Sequence, residues 1–233
     1  MQVVDIPTGA PCSPAVHIVE DDAGFRAALD RLLSSEGYEV RQFGSVQEFS
    51  ASGRAGSPGC LVLDVRLPGG VSGLDLQARL LASGNSMPVI FMTGHGDIPM
   101  SVRAMKAGAV DFFSKPVREQ DMLDAVASAM AQDAAARARR VQVDRLCERL
   151  GTLSARERDV MRRVANGKMN KQIATELSLA EITVKIHRGN AMRKMGARTV
   201  IDLVRMAEIL GSRIEVPAVP RKGGDSLWGA GVR

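Results

Sequence analysis

Through residue 130 the chain alternates short apolar runs with amphipathic stretches. Ala15–Val19 is an apolar run that ends in three acids, Glu20, Asp21 and Asp22. Phe25, Ala28, Leu29, Leu32 and Leu33 then recur at helical spacing, and Gly37 stops that helix. Residues 59–63 form a second apolar run, bounded by Ser57-Pro58 and ending at Asp64. It is too short for a typical helix and predicts a buried strand. Residues 88–92 are a third such run, ending at Thr93, and Gly73–Ala82 between them reads as a helix. Residues 98–107 read as a helix, 109–114 as a strand followed by Lys115-Pro116, and 121–130 as a further helix. Short apolar strands alternating with amphipathic helices predict a parallel sheet wrapped by helices on both faces. The functional crevice of such a sheet lies at the carboxyl ends of its strands. Here those ends carry Glu20-Asp21, Asp64, Thr93 and Lys115.

The pattern changes after residue 130. Residues 131–150 are rich in Ala and Arg and free of Pro and Gly, which predicts a helical connector with a weak apolar seam at Leu146, Cys147 and Leu150. Ser154 followed by Glu157 fits a capping box, and Val160, Met161, Val164 and Ala165 continue at helical spacing to a stop at Gly167. Asn170 is expected to cap a short helix through Leu177, Ser178-Leu179-Ala180 makes a turn, and Glu181–Met195 is the next helix. This is a helix-turn-helix unit. On the last helix Val184, Ala191, Met192 and Met195 fall inward, whereas Ile182, Lys185, Ile186, Gly189 and Arg193 fall outward beside Thr183 and Asn190. Such a stripe suits a major groove, with charge for phosphates and amide or methyl groups for base edges. Arg188 lies toward the packed side and is expected to reach the phosphates by extending its head group.

The 233 residues suit two modest domains, and the charge divides between them. Residues 14–133 hold 10 Lys/Arg against 15 Asp/Glu, and residues 152–212 hold 12 against 6. Only the second half is therefore expected to meet a polyanion. Cys12, Cys60 and Cys147 are odd in number and scattered, which gives neither a disulfide framework nor metal-ligand spacing. With no signal peptide and no apolar run of membrane-spanning length, the expected location is the cytoplasm, away from membranes. The domains expected are a flexible leader at 1–14, an α/β domain at 15–133, a helical linker at 134–151, an all-α domain at 152–212 and a disordered tail at 213–233.

Three carboxylates gathered at strand ends repel one another unless a cation joins them, and an all-oxygen set favours Mg²⁺. A carboxylate there can act as nucleophile toward a phosphoryl group, with a lysine and a hydroxyl stabilising the transferred oxygens. Asp64, Lys115 and Thr93 supply those parts. Two rival readings stay open on this ground alone. One is a phosphohydrolase using Asp64, although such enzymes want an acid two residues on and Arg66 stands there. The other is a DNA-binding protein that ignores phosphorylation.

Val19-Glu20-Asp21-Asp22, Leu61-Val62-Leu63-Asp64-Val65-Arg66-Leu67-Pro68, Thr93-Gly94-His95-Gly96-Asp97 and Lys115-Pro116 resemble the receiver signature of two-component response regulators. The stretch from Thr93 to Lys115 is similar to the FixJ branch in particular. Leu153-Ser154-Ala155-Arg156-Glu157, Asn170-Lys171-Gln172-Ile173-Ala174 and Thr183-Val184-Lys185-Ile186-His187-Arg188 resemble the LuxR-type helix-turn-helix. The resemblance implies a doubly wound, flavodoxin-like parallel sheet of five strands and a small all-α domain. It implies Asp64 as phosphoacceptor, Mg²⁺ on Asp21, Asp64 and the Arg66 backbone carbonyl, and Glu20 acting through a metal-bound water. Thr93 and Phe112 become the switch residues, and Lys115 pairs with the phosphoryl group. The protein is then no classical enzyme and undergoes only self-phosphorylation and slow autodephosphorylation. Its implied partners are a histidine kinase, promoter DNA, a second copy of itself on phosphorylation, and RNA polymerase as a further contact. DNA would meet Lys171, Thr183, Lys185, Ile186, Arg188, Asn190 and Arg193. Three departures stand out: residues 68–73 are one longer than usual, Ala180 replaces a Ser or Thr cap, and Gly189 replaces a longer side chain.

Overall fold

The structure is a computed structural model that describes residues 13–68, 71–94 and 98–215. The expectations for the leader, for Cys12 and for most of the tail lie outside the described residues, as do Gly69, Gly70 and residues 95–97 of the third motif. The described chain forms two compact units that divide between Ala138 and Arg139, inside the stretch expected as a helical linker. Among the described residues no helix is long and apolar enough to cross a membrane.

The first unit is a five-stranded parallel sheet of β1 (Ala15–Val19), β2 (Glu39–Phe43), β3 (Gly59–Asp64), β4 (Val89–Thr93) and β5 (Asp111–Ser114), in the order β2-β1-β3-β4-β5. Helices α1 (Ala23–Ser35), α2 (Val46–Ala51), α3 (Gly73–Ala82), α4 (Ile98–Lys106) and α5 (Glu119–Gly151) flank it. Because a strand turns successive side chains to opposite faces, the buried runs feed two cores at once. Ile18, Cys60, Val62, Ile90 and Met92 pack with Leu29 and Leu33 of α1 and Met122 and Val126 of α5. Val19, Leu61, Leu63, Val89 and Phe91 pack with Phe49 of α2, Leu76 and Leu80 of α3 and Ala104 of α4. The sheet order reverses between β1 and β3, which opens a crevice above their carboxyl ends.

Strand β2 and helix α2 were not read from periodicity. Glu39 to Phe43 is an edge strand with only Phe43 buried, so it carries no apolar run to announce it. The fifth strand came from the family resemblance alone. Strand β5 begins two residues later than expected, and the last receiver helix and the connector are one helix, α5.

Strand β3 is held firmly at its start. Asp133 of α5, buried, accepts the Gly59 amide at 2.8 Å and the Arg137 Nε at 2.7 Å, while Arg137 Nη2 donates to the Ser57 carbonyl at 2.5 Å. Gly59 has φ +132°, and a Cβ there would fall 1.8 Å from the Ala15 carbonyl oxygen, so only glycine allows this approach of β1 and β3.

The second unit comprises α6 (Ala155–Ala165), α7 (Asn170–Leu177), α8 (Glu181–Met195) and α9 (Val200–Leu210) with the end of α5. The Ser154–Glu157 capping box forms as read from sequence. The cap of α7 does not. Met169 is the N-cap, its amide donating to the Gln172 side chain at 2.8 Å, and Asn170 is the first helical residue. Leu146 and Leu150 of α5 are buried in the same core as Val160, Ile173, Val184, Met195 and Leu203. The helical core therefore starts in α5, ahead of the expected boundary at residue 152.

Two predictions follow from this packing. A fragment beginning at Thr152 loses Leu146, Leu150 and their apolar burial, so it should melt more than about 10 °C below one beginning at Arg139; equal midpoints would refute the shared core. The second concerns His17, which is buried in β1 between Phe43 and Phe49. The Ser57 hydroxyl donates to the Arg54 carbonyl, so at 3.0 Å it accepts from His17 Nε2, and His17 Nδ1 is buried with no partner. Burial, then the charges of Arg54 and Arg41, lower the His17 pKa from 6.5 to about 4, against a small opposing effect of Glu39. Since the folded value lies below the unfolded one, stability is complete above pH 6.5 and declines as pH falls toward 4, by about 3 kcal/mol from this residue. Urea unfolding of the first unit in His17→Leu should lose that part of the acid slope; parallel slopes would exclude it.

Candidate functional site

The acidic crevice is assembled by the ends of β1, β3 and β5. Glu20 follows β1 and is 1% exposed; Asp64 ends β3 and is 5% exposed; Asp21 is exposed at the rim. One carboxylate oxygen from each lies within 4.8 Å of the others. Lys115, which follows β5, reaches in with Nζ 2.5 Å from Glu20 Oε2 and 2.5 Å from Asp64 Oδ2. Its ammonium also stands 4.6 Å from the centre of the Phe25 ring, a cation–π contact from α1. The other Asp64 oxygen accepts the Arg66 amide at 2.8 Å.

Electrostatics follow from this crowding. Burial, reinforced by the negative charge of Asp64, raises the Glu20 pKa even though Lys115 opposes it. Burial alone would lower Lys115, but its hydrogen bonds and ion pairs with Asp64 and Glu20 outweigh that and hold it above its ordinary value. Asp22 is committed elsewhere. Its side chain caps α1 by accepting from Phe25 and Gly24 amides, which lower its pKa. The all-oxygen donor set of Glu20, Asp21 and Asp64 fits a hard divalent ion.

Thr93 ends β4 fully buried, and the Lys115 amide donates to its carbonyl at 2.8 Å. Phe112 is half-buried on β5, 6.4 Å from Phe91 between ring centres. Two supports were missed in the sequence. Phe25 registered only as an apolar helix position. Gly73 registered only as a helix start, yet its amide donates to the Val65 carbonyl at 2.9 Å and a Cβ there would fall 2.4 Å from the Asp64 carbonyl oxygen. A glycine directly at a helix start was the available signal. Ser72 and Asp75 form a capping box at the same turn, which fixes α3 against Asp64.

In the second unit, Ile182, Lys185, Ile186, Gly189 and Arg193 of α8 are exposed, Thr183 and Asn190 are half-buried, and Val184, Ala191 and Met195 are buried. Lys171 on α7 is exposed. Arg193 donates to Asn190 Oδ1 at 3.0 Å, and Lys185 lies 3.7 Å from Glu181. Arg188 is half-buried, toward the packed side as expected, and its guanidinium donates to Asn170 Oδ1 at 3.1 Å, which joins α8 to α7. Ala180 is the N-cap of α8 with no side-chain hydrogen bond, in keeping with the missing Ser or Thr. The other end of α8 is held by Arg149 and Lys194, which the sequence did not single out, and by Glu157, read there only as half of a capping box. Arg149 of α5 donates to the Met195 carbonyl at 2.8 Å, and Lys194 pairs with buried Glu157 at 2.5 Å.

Comparison with known proteins agrees with this division. The family model of the response regulator receiver domain matches residues 16–127, and that of bacterial regulatory proteins of the luxR family matches residues 151–207. The chain is 53% identical to Nodulation protein W of Bradyrhizobium diazoefficiens, over 88% of this chain and 89% of that protein. It is 41% identical to the transcriptional regulatory protein FixJ of Azorhizobium caulinodans, over 86% of this chain and 95% of that one. A low-resolution structure of the response regulator StyR, 45% identical, superposes with a TM-score of 0.73 over 84% of this chain and 99% of that chain.

Proposed function

The chain belongs to the two-component response regulators that join a receiver domain to a LuxR-type DNA-binding domain, and from that premise we propose that Asp64 accepts a phosphoryl group that governs binding to promoter DNA. It is a signalling transcription regulator of the FixJ kind, whose receiver implies a histidine kinase partner. The reading of Asp64 rests on one observation: a single ammonium, Lys115 Nζ, bridges Glu20 and Asp64 at the point where the sheet order reverses.

An Asp64 carboxylate oxygen attacks the phosphorus of a phosphohistidine on the kinase; the P–N bond breaks, the histidine leaves with the electron pair, and an acyl phosphate forms. Asp21 and Asp64, with the Arg66 carbonyl, would hold Mg²⁺ directly and Glu20 would hold it through a water; bound there, the ion supplies positive charge against the phosphoryl oxygens. Lys115 exchanges the Asp64 oxygen for a phosphoryl oxygen, and the Thr93 hydroxyl donates to another. Drawing Thr93 inward leaves room for Phe112 to follow from its half-buried position on β5. The neighbouring face of α4, where Ile98, Val102 and Met105 are exposed, then pairs with a second copy. The dimer presents two α8 helices to paired half-sites, with Lys171, Thr183, Lys185, Ile186, Asn190 and Arg193 toward DNA and Arg188 supporting from behind. RNA polymerase is the contact through which a bound dimer would act.

With a small acyl-phosphate donor and Mg²⁺, mass spectrometry should find one phosphoryl group on the native chain, none on Asp64→Asn, and none on either once the divalent ion is chelated. Promoter affinity should rise with phosphorylation in the native chain only; an Asn variant that gains affinity normally would refute the proposal. Lys185→Ala should weaken DNA binding and flatten the plot of log affinity against log salt by about one unit of slope. An unchanged slope would remove Lys185 from the interface.

A further inference from the structure

The outward face of α8 carries two large apolar side chains that its own core does not use. Ile182 is 64% exposed and Ile186, one turn on, is 56% exposed. The core beneath is closed without them, since Val184, Ala191 and Met195 are each fully buried. Lys185 lies between them and Arg193 lies along the same stripe. Gly189, three residues beyond Ile186, leaves open space where a side chain would stand. An apolar pair framed by cations on one helix face is poorly suited to another basic surface and well suited to a polyanion with an apolar feature inside. The major-groove edge of DNA has one such feature, the C5 methyl group of thymine.

We propose that Ile182 and Ile186 read thymine methyl groups, so that each half-site of the operator carries thymines opposite these residues; this rests on the DNA-binding reading above. The cations hold the phosphates on either side, and the gap at Gly189 lets the helix approach the base edges closely enough for methyl contact. Specificity at these positions would then arise from apolar packing in place of a hydrogen-bonded pair.

The test uses the full-length chain with Mg²⁺ and an acyl-phosphate donor. Duplexes are selected from a random-sequence pool, and each thymine of the winning site is then replaced singly by uracil, which removes one methyl and keeps the base pair. The expected result is a loss of about fourfold in affinity at one or two positions of each half-site. In Ile182→Ala and Ile186→Ala, both at exposed positions, the loss at the matching position should vanish. Affinities equal for thymine and uracil throughout, with binding intact, would overturn this proposal and leave the DNA-binding reading standing. A uracil effect that persists in both variants would also overturn it, by assigning the methyl contact elsewhere. No retained DNA at all would instead overturn the DNA-binding reading itself. Sedimentation without DNA supplies the last arm: loss of self-association in the two variants would make this face a protein interface and overturn the proposal.

Discussion

Three carboxylates at the ends of two neighbouring strands cannot share a crevice unless positive charge joins them. Lys115 supplies that charge from within the chain, with one ammonium against both Glu20 and Asp64. The sheet order brings Glu20 and Asp64 side by side, and the register β3–β4–β5 brings Lys115 to the same rim. The buried Glu20 and Asp64 thus have a counterion within the chain. The same bridge occupies an Asp64 oxygen, so anything that reacts with Asp64 must also redirect Lys115.

Much of this was legible in the residue pattern. Strands that are buried on both faces become apolar runs; β3 and β4 are such runs, ending on Asp64 and Thr93 at the rim, and β1, apolar apart from His17, is followed there by Glu20. The stretch Gly73–Ala82 was readable as a helix because Leu74, Leu76, Leu80 and Leu81 give it a short apolar stripe. Strand β2 was not, since only one of its five residues is buried and local pattern cannot separate an edge strand from a loop. The acidic triad and its lysine were legible as residue types at strand ends. Their supports were not: Phe25 and Gly73 act through contacts across 90 and 9 positions of sequence, which periodicity does not encode.

The second unit shows how a helix can belong to two neighbourhoods by composition. The middle of α5 is polar and largely exposed, and it is carried by strong helix formers such as Ala and Arg. Its last two turns are different, with Leu146 and Leu150 buried among α6, α7, α8 and α9. Arg149 adds a donor to the carbonyl end of α8, where the backbone has no helical partner of its own. A connector read by composition thus hides the first piece of the domain it leads into. Asn170 likewise serves as a partner for Arg188, a role set by packing of α7 on α8, and the cap position it resembles falls to its neighbour.

Strand β3 is gripped at both ends. Its first amide is taken by Asp133, its glycine start leaves no room for a side chain beside β1, and at its far end the backbone of Asp64 has Gly73 pressed against it. A strand so clamped has little travel along its own length. Were bulk and charge added to Asp64 as proposed, the strand would act as an anvil, and the recoil would go into side chains and loops beyond it. The least yielding part of the molecule is what would let a small chemical event be felt at a distance.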